Sequence, residues 1–213
     1  DKLVWGGFTK EQIANMREIE KDLGILKGRP MSIESADMQS ANPNYFENWA
    51  YRINCQTCVP AYMLRLRGFN IYARGYAFDS LSAWIAKQHS FDIWENQNGA
   101  SLKPSITLEW MNNKGYEEMS PNHYKEYFEE ACSEVGVYVL TIGWESGGGH
   151  ATILQRLKNG KLVYIEPQLY SGKVMRDIME LAKDGSKIPH EKRGIARIDD
   201  KLFKKKFVSI FGY

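Results

Sequence analysis

The sequence is short of the residues from which a metal centre, a disulfide scaffold or a membrane anchor is built. Its 213 residues include only 3 cysteines and 4 histidines. An odd, small number of cysteines cannot staple a chain of this length. Cys55 and Cys58 form a C-x-x-C, but no second C-x-x-C or H-x-x-x-H supplies the other half of a structural zinc site, so no metal or other cofactor is expected. A redox pair is disfavoured as well, because Tyr-Arg-Ile-Asn before the motif is not a buried apolar strand. No apolar run approaches the roughly 20 residues that span a bilayer, and the opening DKLVWGGFTKEQ lacks a signal-peptide core. An excess of one charge is missing too. The 28 basic and 26 acidic side chains leave a net +2, which offers no global field to nucleic acid or an anionic membrane. The one basic run, Lys204 to Lys206, reads as the solvated end of an element. Repeats and low-complexity tracts are lacking.

What is present suits a folded chain: 43% hydrophobic, 25% charged and 13% aromatic residues. The length favours one domain over 1–213. Because the chain begins at Asp1, the expectation is a soluble domain with more chain upstream.

Thr9 with Gln12 makes a capping box, and Ile13, Met16, Ile19 and Leu23 recur at helical spacing until Gly24, which predicts an N-terminal amphipathic helix. A short helix over Ile33–Gln39 and a loop around Asn42-Pro43-Asn44 follow. Asn54 then stands as the cap of a helix whose apolar face is Val59, Tyr62, Met63 and Leu66 and whose end is Gly68, with Pro60 threatening a kink. Phe69–Ala73 alternates like a strand. Short helices are expected over Leu81–Gln88 and Thr107–Asn113, and a longer one from Pro121 to Glu134 with Cys132 as a small core residue. The period then changes. Gly136–Trp144, His150–Leu157 and Lys161–Ile165 are apolar, β-branched runs, the last two joined by Asn159-Gly160, a strong hairpin signal. Helices first and an antiparallel meander later define an α+β fold. A helix over Val174–Lys183, a strand-like GIARID and an apolar FVSIF close the chain.

This order places a cysteine at a helix N-terminus, where the positive end of the dipole and unpaired N–H groups stabilise a thiolate and could hold an oxyanion. A cysteine nucleophile needs an imidazole, and the imidazole needs a polar group to fix its tautomer. His89, His123 and His190 sit in polar loop or helix-start contexts. His150 follows Gly147–Gly149, which leave room for another chain or a substrate, and it starts a strand. The hairpin brings the end of the partner strand, Ile165-Glu166-Pro167-Gln168, back toward His150, so Glu166 is a candidate orienter and Gln168 a second polar group.

Three motifs in order, N-C-x-x-C-x-x-A-Y-x-x-R-x-R-G at Asn54–Gly68, G-H-A at Gly149–Ala151 and N-G-K-x-x-x-I-[acid]-P-Q at Asn159–Gln168, resemble the papain-fold toxin family, found at the C-termini of bacterial polymorphic toxins and in some phage head-morphogenesis proteins. MSIESADMQSANPNY looks like the lead-in of the phage-associated members. The resemblance covers about 28–170, leaving 1–27 as an N-terminal helix and 171–213 as a C-terminal extension. It implies a papain-like fold and a Cys-His-acid triad attacking a protein carboxamide or a peptide bond, as a glutamine deamidase or peptidase effector, with a protein substrate, an immunity protein as a further partner, and delivery as part of a larger bacterial or phage protein. The nucleophile maps to Cys55, with Cys58 as the alternative, the base to His150 and the orienter to Glu166, where the family usually has aspartate. Asn54 and Gln168 are the supporting or oxyanion candidates. The rival is a catalytically inactive papain-like module that serves assembly or partner binding in a phage particle.

Overall fold

Thr9 opens the first helix as its spacing predicts: its hydroxyl accepts from the Gln12 N–H while the Gln12 side chain accepts from the Thr9 N–H. This helix, α1 (Lys10–Leu23), stops at Gly24, which takes a left-handed backbone at φ +74°. The structure, a computed structural model, describes residues 7–169 and 172–213. Residues 1–6, which begin the stretch searched for a signal peptide, and 170–171, where the resemblance and the tail meet, lie outside the described residues.

The buried face of α1 departs from expectation, for Ile13 is 39% exposed while Gln12 and Asn15 are buried. Both polar side chains are satisfied by backbone. The Asn15 amide donates to the Phe203 carbonyl at 2.7 Å and accepts from the Phe203 N–H at 3.1 Å, and Gln12 donates to the Asp199 carbonyl at 3.0 Å. The N-terminal helix is thereby tied to the far end of the chain.

Two short helices, α2 (Ile33–Ala36) and α3 (Met38–Ala41), replace the single one expected over Ile33–Gln39, because Asp37 is extended between them. The helix that carries the cysteines, α4 (Cys55–Arg67), is not amphipathic: every residue from Gln56 to Arg67 is buried, as befits a helix wrapped on all sides. Pro60 lies inside it without ending it, removing the one N–H that would reach the Gln56 carbonyl. Its two buried arginines end on backbone carbonyls. Arg65 donates to Ser35 at 2.8 Å and Ile71 at 2.9 Å, and Arg67 donates to Lys201 at 2.6 Å. Burial pulls the Arg67 guanidinium down to about 10, against Asp199 and Asp200, which raise it.

The strand β1 (Tyr72–Ala73) is shorter than Phe69–Ala73. There follow α5 (Leu81–Ala86), β2 (Trp94–Glu95), β3 (Ser105–Ile106), α6 (Thr107–Lys114) and α7 (Pro121–Ala131). Ser120 caps α7 as predicted, but the helix ends at Ala131 rather than Glu134.

The expected meander is real and larger than expected. β4 (Gly136–Gly143), β5 (Gly149–Arg156) and β6 (Leu162–Ile165) pair in sequence, with Gly160 at φ +87° in the turn before β6. The tail adds α8 (Met179–Ala182), much shorter than Val174–Lys183, and β7 (Gly194–Arg197). β7 enters between β3 and β4, giving an antiparallel sheet of order β3-β7-β4-β5-β6. Residues after 171 are therefore part of the sheet and not an appendage. β8 (Leu202–Phe203) pairs with β2, and FVSIF runs through a 3-10 turn, Lys205–Ile210, into β9 (Phe211–Gly212), which pairs with β1.

Register divides the core. Val137, Val139, Ala151, Ile153, Val163 and Ile165 pack with α1 and α4 on one face, and Tyr138, Leu140, Leu154, Leu162 and Tyr164 pack with α7 and α8 on the other. Both faces are covered, which is why β4 reads as a continuous apolar run rather than an alternating one. The result is a mixed α+β fold with an antiparallel sheet between helices. Among the described residues no helix is long and apolar enough to cross a membrane.

Candidate active site

The site forms where β5 outruns its neighbour. β6 pairs with β5 only as far as Ile165 opposite Ile153, so Gly149–Thr152 continue without a strand on that side. The first residue of α4 meets this free edge. Cys55 is partly buried, its thiol donates to Gln56 Oε1 at 3.7 Å, and His150 and the Ala151 N–H lie close enough to act on its charge.

His150 Nε2 lies 2.6 Å from Glu166 Oε2, with the two side chains 12% and 5% exposed. With Nε2 so engaged, Nδ1 is the ring nitrogen left for the thiol. The imidazole also stacks on Trp144, centroids 5.8 Å apart and planes 27° from parallel. Glu166 is itself held. Its Oε2 accepts a short hydrogen bond from the Tyr164 hydroxyl and a longer one from Thr152 Oγ1 at 3.5 Å, and its Oε1 accepts from the Gln168 N–H at 3.2 Å.

Electrostatics follow from this geometry. Burial by itself raises the Cys55 thiol, but the hydrogen bond and charge of His150 with the Ala151 N–H outweigh it and leave the thiol below its ordinary value. Burial likewise opposes charge on His150, and the Glu166 charge together with bonds to Cys55 and Glu166 lifts the imidazole well above its ordinary value. Glu166, penalised by burial, is held below the usual carboxylate range by His150 and Tyr164. A lowered thiol beside a raised imidazole is the signature of a thiolate–imidazolium pair.

Cys58 has the opposite environment. It is fully buried, burial pushes its thiol well up, and its sulfur donates to Asn54 Oδ1 at 3.4 Å. Of the two cysteines, only Cys55 faces His150.

Asn54 precedes α4 but makes no side-chain cap bond. Its amide is fully buried, donating to Asn42 Oδ1 at 2.9 Å and the Arg74 carbonyl at 3.2 Å, so it is committed away from any oxyanion. Gln168 also faces inward. Its side chain points at Asn54 Oδ1, 3.5 Å away, and its carbonyl accepts from Asn42 at 3.0 Å. Glu166 and not Gln168 is the partner of His150, while Asn42, Asn54 and Gln168 form a buried polar cluster behind the helix mouth. The groups left for an oxyanion are the backbone N–H groups of Cys55 and Gln56, since the first-turn carbonyl of Asn54 is taken by Thr57 and Cys58.

Sequence reasoning missed Tyr164, Thr152 and Asn42. Tyr164 and Thr152 carried a usable signal, Thr152 two residues from His150 on β5 and so on the same face, and Tyr164 two residues before Glu166, which continues past the end of β6. Asn42 lay in a loop whose partners are 12 and 126 residues away and carried none. Of the three glycines before His150, Gly147 and Gly148 face open space, and only the room at Gly149 is filled from within. Gly147 and Gly148 take left-handed turns at φ +96° and +84°, and a Cβ on Gly149 would stand 2.1 Å from the Arg193 guanidinium. Arg193, Lys192, Cys55, Gly149 and His150 line one pocket.

Compared with protein-family models, with curated proteins and with solved structures, the chain matches none.

Proposed function

We propose that this protein is a cysteine amidohydrolase of papain-like arrangement. The observation that carries the proposal is the imidazole of His150 between the Cys55 thiol, which it lowers, and a Glu166 that it meets at 2.6 Å and that Tyr164 holds. Each group has a role that its surroundings suit. Nδ1 of His150 takes the Cys55 proton, and the thiolate attacks the carbon of a carboxamide. The tetrahedral oxyanion accepts from the N–H groups of Cys55 and Gln56 at the positive end of α4. His150 then protonates the departing nitrogen, the C–N bond breaks and a thioester on Cys55 remains. Water, giving its proton to His150, attacks the thioester, the acid leaves, and the proton returns to sulfur. Glu166 stays ionised throughout and holds the imidazolium.

Loss of ammonia from a glutamine side chain and loss of an amine from a peptide bond use the same steps. The resemblance of the Asn54–Gly68, Gly149–Ala151 and Asn159–Gln168 motifs to papain-fold toxins favours a glutamine deamidase or peptidase effector acting on a protein. Incubation with a glutamine-containing peptide library, reading ammonia and intact masses together, separates the two: ammonia with the mass of an amide turned to acid marks a deamidase, and backbone fragments without ammonia a peptidase. Neither product from the wild type, together with a Cys55 that iodoacetamide labels no faster than free cysteine, refutes the proposal.

A further inference from the structure

Arg193 is set apart from the other buried arginines. Arg65 and Arg67 close onto carbonyls, Arg156 onto Glu129 and Arg197 onto Asp199. The Arg193 guanidinium has no hydrogen bond or ion pair among the described residues, and its Nε is buried without a partner. It lies across the Cα of Gly149, the residue before His150, and shares the pocket of Cys55. Lys192 lines the same pocket, and among the described residues lining it none is Asp or Glu. Burial presses the Arg193 guanidinium down, and the one charged group that supports it is Cys55.

A half-buried guanidinium that makes no hydrogen bond and whose one supporting charge is the Cys55 thiolate, itself shared with His150, is costly unless something arrives to pair with it. Its planar fork matches a carboxylate in two parallel hydrogen bonds. Gly149 gives the fork its place beside β5, since a Cβ there would stand 2.1 Å from a guanidinium nitrogen and push the fork aside. We propose that Arg193 is a specificity-determining residue, its guanidinium receiving a carboxylate of the substrate next to the amide that Cys55 attacks. The substrate is then a peptide with an acidic side chain beside that amide, or one whose free α-carboxylate lies there. This rests on Cys55 being the nucleophile.

The test compares alkylation of Cys55 by iodoacetate and iodoacetamide, located by peptide mapping. The two reagents differ in a carboxylate, and the ratio of their rates cancels the thiolate fraction. Arg193→Gln is expected to lower the iodoacetate/iodoacetamide ratio about 10-fold or more, the size of a hydrogen-bonded charge contact. Arg193→Lys keeps part of the preference. Gly149→Ala, which displaces the fork at its flexible end, lowers the ratio with Arg193 still present. An unchanged ratio in both Arg193→Gln and Gly149→Ala overturns the carboxylate site, whatever the absolute rates. A slow iodoacetamide rate in the wild type instead counts against the nucleophile, so the two failures are distinct. Protection of Cys55 by acetyl-glutamate amide or by acetyl-glutamine free acid identifies which carboxylate is received. Equal protection by the neutral acetyl-glutamine amide overturns the assignment.

Discussion

Replacing Glu166 by glutamine keeps the outline of the side chain and removes only its charge and one acceptor. The carboxylate now serves four donors: His150 Nε2 at 2.6 Å, the Tyr164 hydroxyl, Thr152 Oγ1 at 3.5 Å and the Gln168 N–H at 3.2 Å. An amide cannot serve both sides. With its oxygen toward His150, its NH2 confronts the Gln168 N–H. With its NH2 toward His150, the ring is held with the proton on Nδ1, the nitrogen that must take the Cys55 proton. In either pose the charge that keeps the imidazole raised is gone. Burial then favours neutral His150, and the Cys55 thiol, deprived of the imidazolium, rises. The expected loss in turnover of an amide substrate is on the order of 10³–10⁴, the size that a wrong tautomer costs in a serine triad.

The assay needs no known substrate: the rate of Cys55 alkylation by iodoacetamide is followed by intact mass from about pH 4 to about pH 10, which brackets the ordinary thiol value. The wild type should stay reactive well below that value. Glu166→Gln should move the inflection upward by at least about one unit, equivalent to about 1.36 kcal/mol. Breaking a buried pair costs about 3–5 kcal/mol, against a stability of about 5–15 kcal/mol for a domain, so a thermal melt must show that the variant folds. A folded variant whose inflection coincides with that of the wild type would refute the electrostatic account of the site.

The Cys55–His150 pair should also shape stability against pH. Lowering the thiol gives stability that is lost as pH falls through its folded value, and raising the imidazole gives stability that is lost as pH rises through its folded value. Between the unfolded values of about 6.5 and about 8.5, folded and unfolded pairs each hold one proton, so the pair contributes a plateau there. In Cys55→Ser, alkaline loss should begin near about 6.5 instead of about 8.5, read from melting temperature against pH; a variant curve parallel to the wild type would count against the pair. Away from the site, Asn15→Ala orphans the N–H and carbonyl of Phe203. Its expected cost is about 2–4 kcal/mol in urea unfolding, and a cost below about 0.5 kcal/mol would mean that water replaces the lost bonds.

Elements whose signals are local were legible in the sequence. The Thr9–Gln12 box, the Ser120 cap with Pro121 and the Asn159-Gly160 hairpin each depend on residues a few positions apart, and each stands where spacing predicts. The failures share a cause as well. Periodicity puts Ile13 on a buried face because it cannot know that Asn15 finds a backbone partner at Phe203. Helix α4 reads as amphipathic in the sequence because Arg65 and Arg67 count as polar in any window, while in the fold carbonyls of distant segments take up their charge. GIAR was a strand without a neighbour until β4 gave it a place beside β3.

The candidate site divides along the same line. By itself the sequence determined the identities of Cys55, His150 and Glu166, because a helix mouth after Asn54, a glycine-led strand and the return arm of a hairpin are each written within a few residues. Tertiary structure alone decided that Asn54 braces the helix instead of facing a substrate, that Tyr164 anchors Glu166, and that Arg193 lies unpaired over Gly149. Those outcomes depend on where β6 stops pairing with β5 and on where the loop before β7 brings Arg193, distances through space that hydrogen-bond satisfaction and packing settle only once the whole chain has closed.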